Sequence, residues 1–164
     1  MRASLHVLTI TLALAQAGMA LAQETTLAFQ GLKAGAGEPV EITADQLNVT
    51  QSASTAEFTG NVLVIQGGLR LSSDRLTVEY VEGDKTTIDR LIAEGNVLLS
   101  TPAEAAESAR AVYVLTSQQL EMTGEVILKQ GANVMTGEKL SVNIAEGTGR
   151  MDGRVRTILQ PAGN

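Results

Sequence analysis

The sequence predicts an all-β fold, a roll of antiparallel strands assembled from a repeated two-strand unit. Three observations predict it. The phrase Gly-x-Val returns four times, at Gly60, Gly95, Gly124 and Gly153, with intervals of 35, 29 and 29 residues. From Val40 to about Leu159 apolar and polar residues alternate in short runs, the period of a strand. Gly, Asp and Asn break those runs where turns belong. The chain has 164 residues, enough for one domain with a real core.

In chain order, residues 1–22 read as a secretory signal peptide: Met1-Arg2 gives a positive start, Leu5 to Leu14 is mostly apolar, and Ala20-Leu21-Ala22 is a small-x-small cleavage signal. An uncleaved membrane anchor is the rival reading, but Thr9, Thr11 and Gln16 interrupt the stretch. Residues 23–38 are rich in Gly and Ala, show no sustained period, and read as a flexible lead-in ending at Pro39. Residues 39–161 form the domain.

Within it each unit reads as strand, turn, strand, turn. Two positions after the glycines stand Val62, Val97, Val126 and Val155. Seven and eight positions after the first three come the hairpin turns Gly67-Gly68, Pro102-Ala103 and Gly131-Ala132, with Gln160-Pro161 in that place in the last copy. Second strands open at Arg75-Leu76, Arg110-Ala111 and Lys139-Leu140, and second turns fall at 82–84, 116–118 and 146–147. The segment TPAEAAESAR (101–110) has helix-forming composition, yet Pro102 and the repeat register favour an extended loop entering a strand. A repeat of this length signals an array in which no unit buries its apolar face alone.

Period-two geometry assigns the faces. Phe58, Val62, Val64, Val97, Leu99, Val126 and Leu128 share the oily side of the first strands. Leu76, Val78, Tyr80, Ala111, Tyr113, Leu115, Leu140, Val142 and Ile144 share that of the second. The other side is mostly polar, with Leu63, Ile65, Leu98, Val112, Val114 and Ile127 as exceptions. One oily and one wet face suit an antiparallel sheet.

Composition excludes several function classes. His6 is the only histidine and goes with the leader, and there is no cysteine. Histidine- or cysteine-based nucleophilic catalysis and zinc sites with nitrogen or sulfur ligands are therefore excluded, and no metal is expected. Net charge is −6, moving to −7 with the loss of Arg2, and no basic block offsets it, so nucleic acid is not an expected partner. No Gly-rich loop with a lysine offers a nucleotide site. Carboxylate pairs such as Glu79 with Glu82, or Glu104 with Glu107, fall at surface or turn positions, where a solvated charge is the expected identity. The chain is expected not to be an enzyme and to need no cofactor.

The in-register glycines read as a folding device, a bulge at matching heights in successive units. Two readings of the oily face stay open. It is an ordinary sandwich core, or it is an elongated open roll whose aliphatic interior accepts lipid chains. The scarcity of large aromatics leans to the second, since Phe29, Phe58, Tyr80 and Tyr113 are all the chain has.

The segments PVEITADQLNV (39–49), FTGNVLVIQGGLRLSSDRLTVEY (58–80), MTGEVILKQGANVMTGEKLSV (122–142) and RVRTILQP (154–161) closely resemble the LptA family of lipopolysaccharide-export bridge proteins. That resemblance implies a twisted antiparallel β-jelly roll, open at both ends, in the periplasm. It implies lipopolysaccharide as ligand, its lipid A acyl chains running along the interior. It further implies head-to-tail self-association between an inner-membrane export component and an outer-membrane translocon. Carried over by position, the lining includes Val40, Ile42, Val97, Tyr113 and Leu115, beside the residues the alternation places on the oily face. The alternatives are another component of the same pathway, whether membrane-anchored or like a domain of the outer-membrane partner, and a structural roll without ligand.

Overall fold

The computed structural model describes residues 27–29, 38–50, 52, 54–84 and 86–160. The expected signal peptide lies outside them. Eleven strands form one antiparallel sheet among the described residues: β1 (Leu27–Ala28), β2 (Glu41–Thr43), β3 (Gln46–Thr50), β4 (Thr55–Gln66), β5 (Leu69–Tyr80), β6 (Ile88–Ser100), β7 (Glu104–Val114), β8 (Gln119–Gln130), β9 (Asn133–Asn143), β10 (Thr148–Asp152) and β11 (Arg156–Ile158). The central strands β4 to β9 are joined as consecutive hairpins. β2 and β3 both pair with β4 at one edge, while β10 and β11 both pair with β9 at the other.

Each split pair is one strand interrupted where the recurring glycines put a bend. Every β4-type strand carries two consecutive residues with positive φ, Gly60-Asn61, Gly95-Asn96 and Gly124-Glu125, and Gly153-Arg154 stands between β10 and β11. The ladder slips by one residue there, between Thr59 and Val62, Glu94 and Val97, and Thr123 and Val126. The extra residue is absorbed by the bulge, so inward residues keep their parity on β4, β6 and β8. On the partner strands parity flips: Leu69, Leu71 and Ser73 face in before the corner of β5, and Leu76 and Val78 after it. The flip is stabilised locally, because the buried Ser73 and Ser108 hydroxyls donate to the carbonyls of Arg75 and Arg110.

The corners line up across the whole sheet. Opposite the four glycines stand Asp45, Asp74, Ala109 and Glu138. Two of these hold the neighbouring asparagine: Asn61 Nδ2 donates to Asp45 and Asn96 Nδ2 to Asp74, each at 2.8 Å. Replacing Asp74 by alanine removes one exposed, charge-assisted hydrogen bond and is expected to cost about 1 kcal/mol in urea unfolding. Ala109 and Glu125 already do without this pair at the third corner.

Bent along this line, the sheet turns its oily face onto itself. A single sheet buries Leu76, Met122, Val126 and Leu140 to 0 % exposure only if its two halves pack against each other. On the outside, Arg75 pairs with Glu57, Arg110 with Glu94 and Lys139 with Glu121, so the basic residue that opens each repeated second strand meets an acid on the strand before. Such exposed pairs contribute at most about 1 kcal/mol each. The longer first repeat interval is taken up by the loop 81–87 and an irregularity between Glu79 and Tyr80.

Two expectations need correction. Residues 104–110 are strand, not an extended loop before one: β7 starts at Glu104, and Ala106 and Ser108 face inward. Ladders with β6 on one side and β8 on the other satisfy its backbone, which outweighs the helix propensity of the Ala/Glu run. The lead-in 23–38 is also structured in part. Leu27 and Ala28 pair with Gly149 and Thr148, and Phe29, its amide bonded to the Gly147 carbonyl at 2.7 Å, is only 2 % exposed. Its partners lie some 120 residues away in sequence, so no local period announces it.

Candidate functional site

The inner face collects the sequence-predicted residues. Val62, Val64, Leu76, Val78, Val97, Leu99, Tyr113, Val126, Leu128, Leu140 and Val142 are all buried, while Val40, Ile42, Phe58 and Leu115 are half-buried against the same core. The outward exceptions Leu63, Ile65, Val112, Val114 and Ile127 are half-buried on the wet face, and Leu98 is exposed there. Sequence reasoning missed Leu91, Ala93, Leu120 and Met122, because the strands extend well before the corner glycine. A signal was available: Phe58, Ala93, Met122 and Met151 each stand two positions before a corner, and Ala56, Leu91, Leu120 and Gly149 four positions before. Leu69, Leu71 and Met135 were missed through the parity flip.

At the centre, Val64, Leu71 and Leu99 from one half meet Leu91, Tyr113 and Leu120 from the other across a gap of only about 10 Å³. That is room for no more than one water. At the edge formed by β2 and β3 lies a separate cavity of about 230 Å³, lined by Leu47, Val49, Ala56, Phe58 and Tyr80 together with Thr50, Ser54 and Thr55. Leu47 and Val49 are 53 % and 65 % exposed there. The opposite edge carries exposed Val155, Ile158 and Leu159 on and around β11.

The interior carries a partly buried carboxylate, Glu104, which accepts from Gln130 Nε2 at 3.3 Å beside Phe29, Leu99 and Ala106. Its buried polar side chains among the described residues are Ser73, Ser108 and Gln66, the last donating to the Glu38 carbonyl at 3.0 Å. Two of the carboxylates named in the sequence analysis form ion pairs on the outside: Glu79 with Arg90 at 3.1 Å, and Glu107 with Lys129 at 2.9 Å. Among the described residues no cluster of His, Cys, Asp and Glu is placed to hold a metal, and no helix is long and apolar enough to cross a membrane.

Burial raises the Tyr113 phenol above its ordinary value. The unfolded chain therefore ionises this group first, near pH 10, and the stability it contributes is full below that pH and lost as pH rises through the folded value. Spectrophotometric titration is expected to show a phenol ionising late, and Tyr113→Phe should abolish that step.

The strands thus bend around a narrow, mainly apolar interior, with a cavity at one edge and exposed apolar residues at both edges. The model for "LptA/(LptD N-terminal domain) LPS transport protein" matches residues 41–148. The chain belongs to this family. An uncharacterized protein of Rhizobium meliloti is 35% identical over 170 residues, covering 93% of this chain and 91% of that protein. The lipopolysaccharide export system protein LptA of Escherichia coli is 24% identical over 137 residues, 76% of this chain and 72% of its own. In three dimensions the chain is similar to the crystal structure of LptH, the LptA-homologous periplasmic component of the lipopolysaccharide transport device of Pseudomonas aeruginosa. The TM-score is 0.69 at 16% identity, over 78% of this chain and 99% of that one. The match establishes the fold as the open β-jelly roll of LptH, an antiparallel sheet not closed into a barrel.

Proposed function

We propose that this protein is a periplasmic bridge that carries lipopolysaccharide from the inner to the outer membrane, without catalysis, by running its acyl chains along the bent sheet's inner face. The observation that carries the reading is the mainly apolar inner face, whose buried Val, Leu, Ile and Met side chains come from both halves of the sheet, with a cavity beside Leu47 and Val49 at one edge. An acyl chain exposed to water costs ~0.8 kcal/mol per methylene, so crossing an aqueous compartment calls for a continuous apolar path. Similar Val, Leu and Ile contacts at each step hold the cargo without trapping it.

Passing cargo between protomers follows from the edges. Glu38, Glu41 and Asp45 are exposed on and beside β2 at one edge, whereas Arg154 and Arg156 are exposed on and beside β11 at the other. The acidic edge of one copy faces the basic edge of the next, a head-to-tail contact that propagates instead of closing. Arg156→Glu is expected to weaken self-association several-fold in sedimentation velocity, and raised salt should do the same to the unsubstituted protein. An inner-membrane export component and an outer-membrane translocon would take the two free ends of such a chain.

The nearly filled centre favours a second reading, a structural roll that holds no ligand. Titration of the purified protein with fluorescent lipopolysaccharide separates the two. Saturable binding supports the carrier, and protein that takes up none supports the structural roll.

A further inference from the structure

We propose that Phe29 is a built-in occupant of an acyl-chain site, and that β1 is the strap that releases it when lipid enters. The proposal rests on the carrier reading above and assigns the place where the closed interior opens.

The repeat itself makes the slot. Four positions before the corner glycines an inward side chain stands in three of the four copies, Ala56, Leu91 and Leu120, all buried. In the fourth copy the position is Gly149, which leaves the core one side chain short. The Phe29 ring fills that hole so closely that a β-carbon on Gly149 would collide with it. From the other half of the sheet Leu99, Ala106 and Leu128 complete the slot, with Ser100, Thr101 and Glu104 also lining it, so the ring is wedged between the two faces that a lipid chain would have to part.

The holding element is weak by comparison with what it holds. β4 to β9 are 11 to 13 residues long and paired on both sides, but β1 has two residues and one ladder neighbour. Its further attachments are the Phe29 amide on the Gly147 carbonyl and Gln130 Nε2 on the Ala28 carbonyl at 3.0 Å. Among the described residues Phe29 is the one large, fully buried side chain outside β4 to β9. Local opening draws on the elements with the fewest contacts. With about 10 Å³ free at the centre, an entering chain has to displace something, and Phe29 is the apolar group whose departure breaks least structure. Its leaving also bares the outer edge of β10.

The test uses the full chain, which has no cysteine of its own, and purified lipopolysaccharide as probe. Ala28 and Thr148 stand directly opposite each other, a spacing that accepts a cross-strand disulfide. In Ala28→Cys/Thr148→Cys, oxidation is expected to lower lipopolysaccharide affinity by at least about tenfold and reduction to restore it, since only the fraction with β1 released binds. Phe29→Ala, which has no occupant to displace, is expected to bind tighter than the unsubstituted protein. Equal binding by the oxidised and reduced double variant overturns the strap while leaving the carrier standing. An unsubstituted protein that takes up no lipopolysaccharide overturns both.

Discussion

Valine in place of Gly95 is expected to cost about 3 kcal/mol of stability and to disturb the sheet on both sides of the corner. Gly95 has φ +77°, where a β-branched residue is strained by about 1–2 kcal/mol. Any β-carbon there would also stand 2.5 Å from the Asp74 carboxylate oxygen, so the facing strand must move or give up its hydrogen bond to Asn96. The two penalties act on one bulge, and that bulge is where β5 changes which of its residues face inward. Urea unfolding checks the size of the loss. Gly83 serves as the contrast: its φ is +80°, but a β-carbon there meets nothing within 4 Å. Alanine at Gly83 should therefore cost only the backbone strain.

Aspartate in place of Val97 is expected to have the second large effect, on stability and lipid uptake together. Val97 is 1 % exposed on the inner face of β6. A carboxylate there loses its water without gaining a charge partner, at a cost of several kcal/mol. Desolvation raises such a group's folded pKa above its unfolded value. The variant should accordingly be most stable below the ordinary carboxylate pKa, and lose stability as pH rises through the raised value. Lipopolysaccharide binding should disappear. Leu47→Asp separates binding from folding, because Leu47 is already half in water at the mouth. It should unfold at nearly the unsubstituted denaturant midpoint yet bind lipopolysaccharide several-fold more weakly.

Much of this architecture is legible in the sequence because the repeat is written in residues with local consequences. A glycine followed by asparagine fixes two positive φ values, so the corners at Gly60 and Gly95 announce themselves, and the turns at 67–68, 102–103 and 131–132 fall where the spacing puts them. The inward positions after each corner also obey simple alternation. What was not legible depends on partners. The alternation reverses inside β5, β7 and β9 because the bulge sits on the neighbouring strand, so Leu71, Ala106 and Met135 cannot be assigned from their own strand alone. The Ala/Glu run at 103–107 is extended only because ladders form on both sides of it. Phe29 was the hardest to read. Its burial follows from a missing side chain at Gly149, a vacancy visible only when the four copies are laid over one another.

If lipopolysaccharide travels along the inner face, the side chains lining that face must touch its acyl chains. A photo-crosslinking amino acid placed at Tyr113, and separately at Val97, in living cells tests it most directly, with an outward position such as Thr77 as control. A lipopolysaccharide adduct is expected at both inner positions and none at Thr77. Adducts absent from the inner positions, or equally frequent at Thr77, would contradict it.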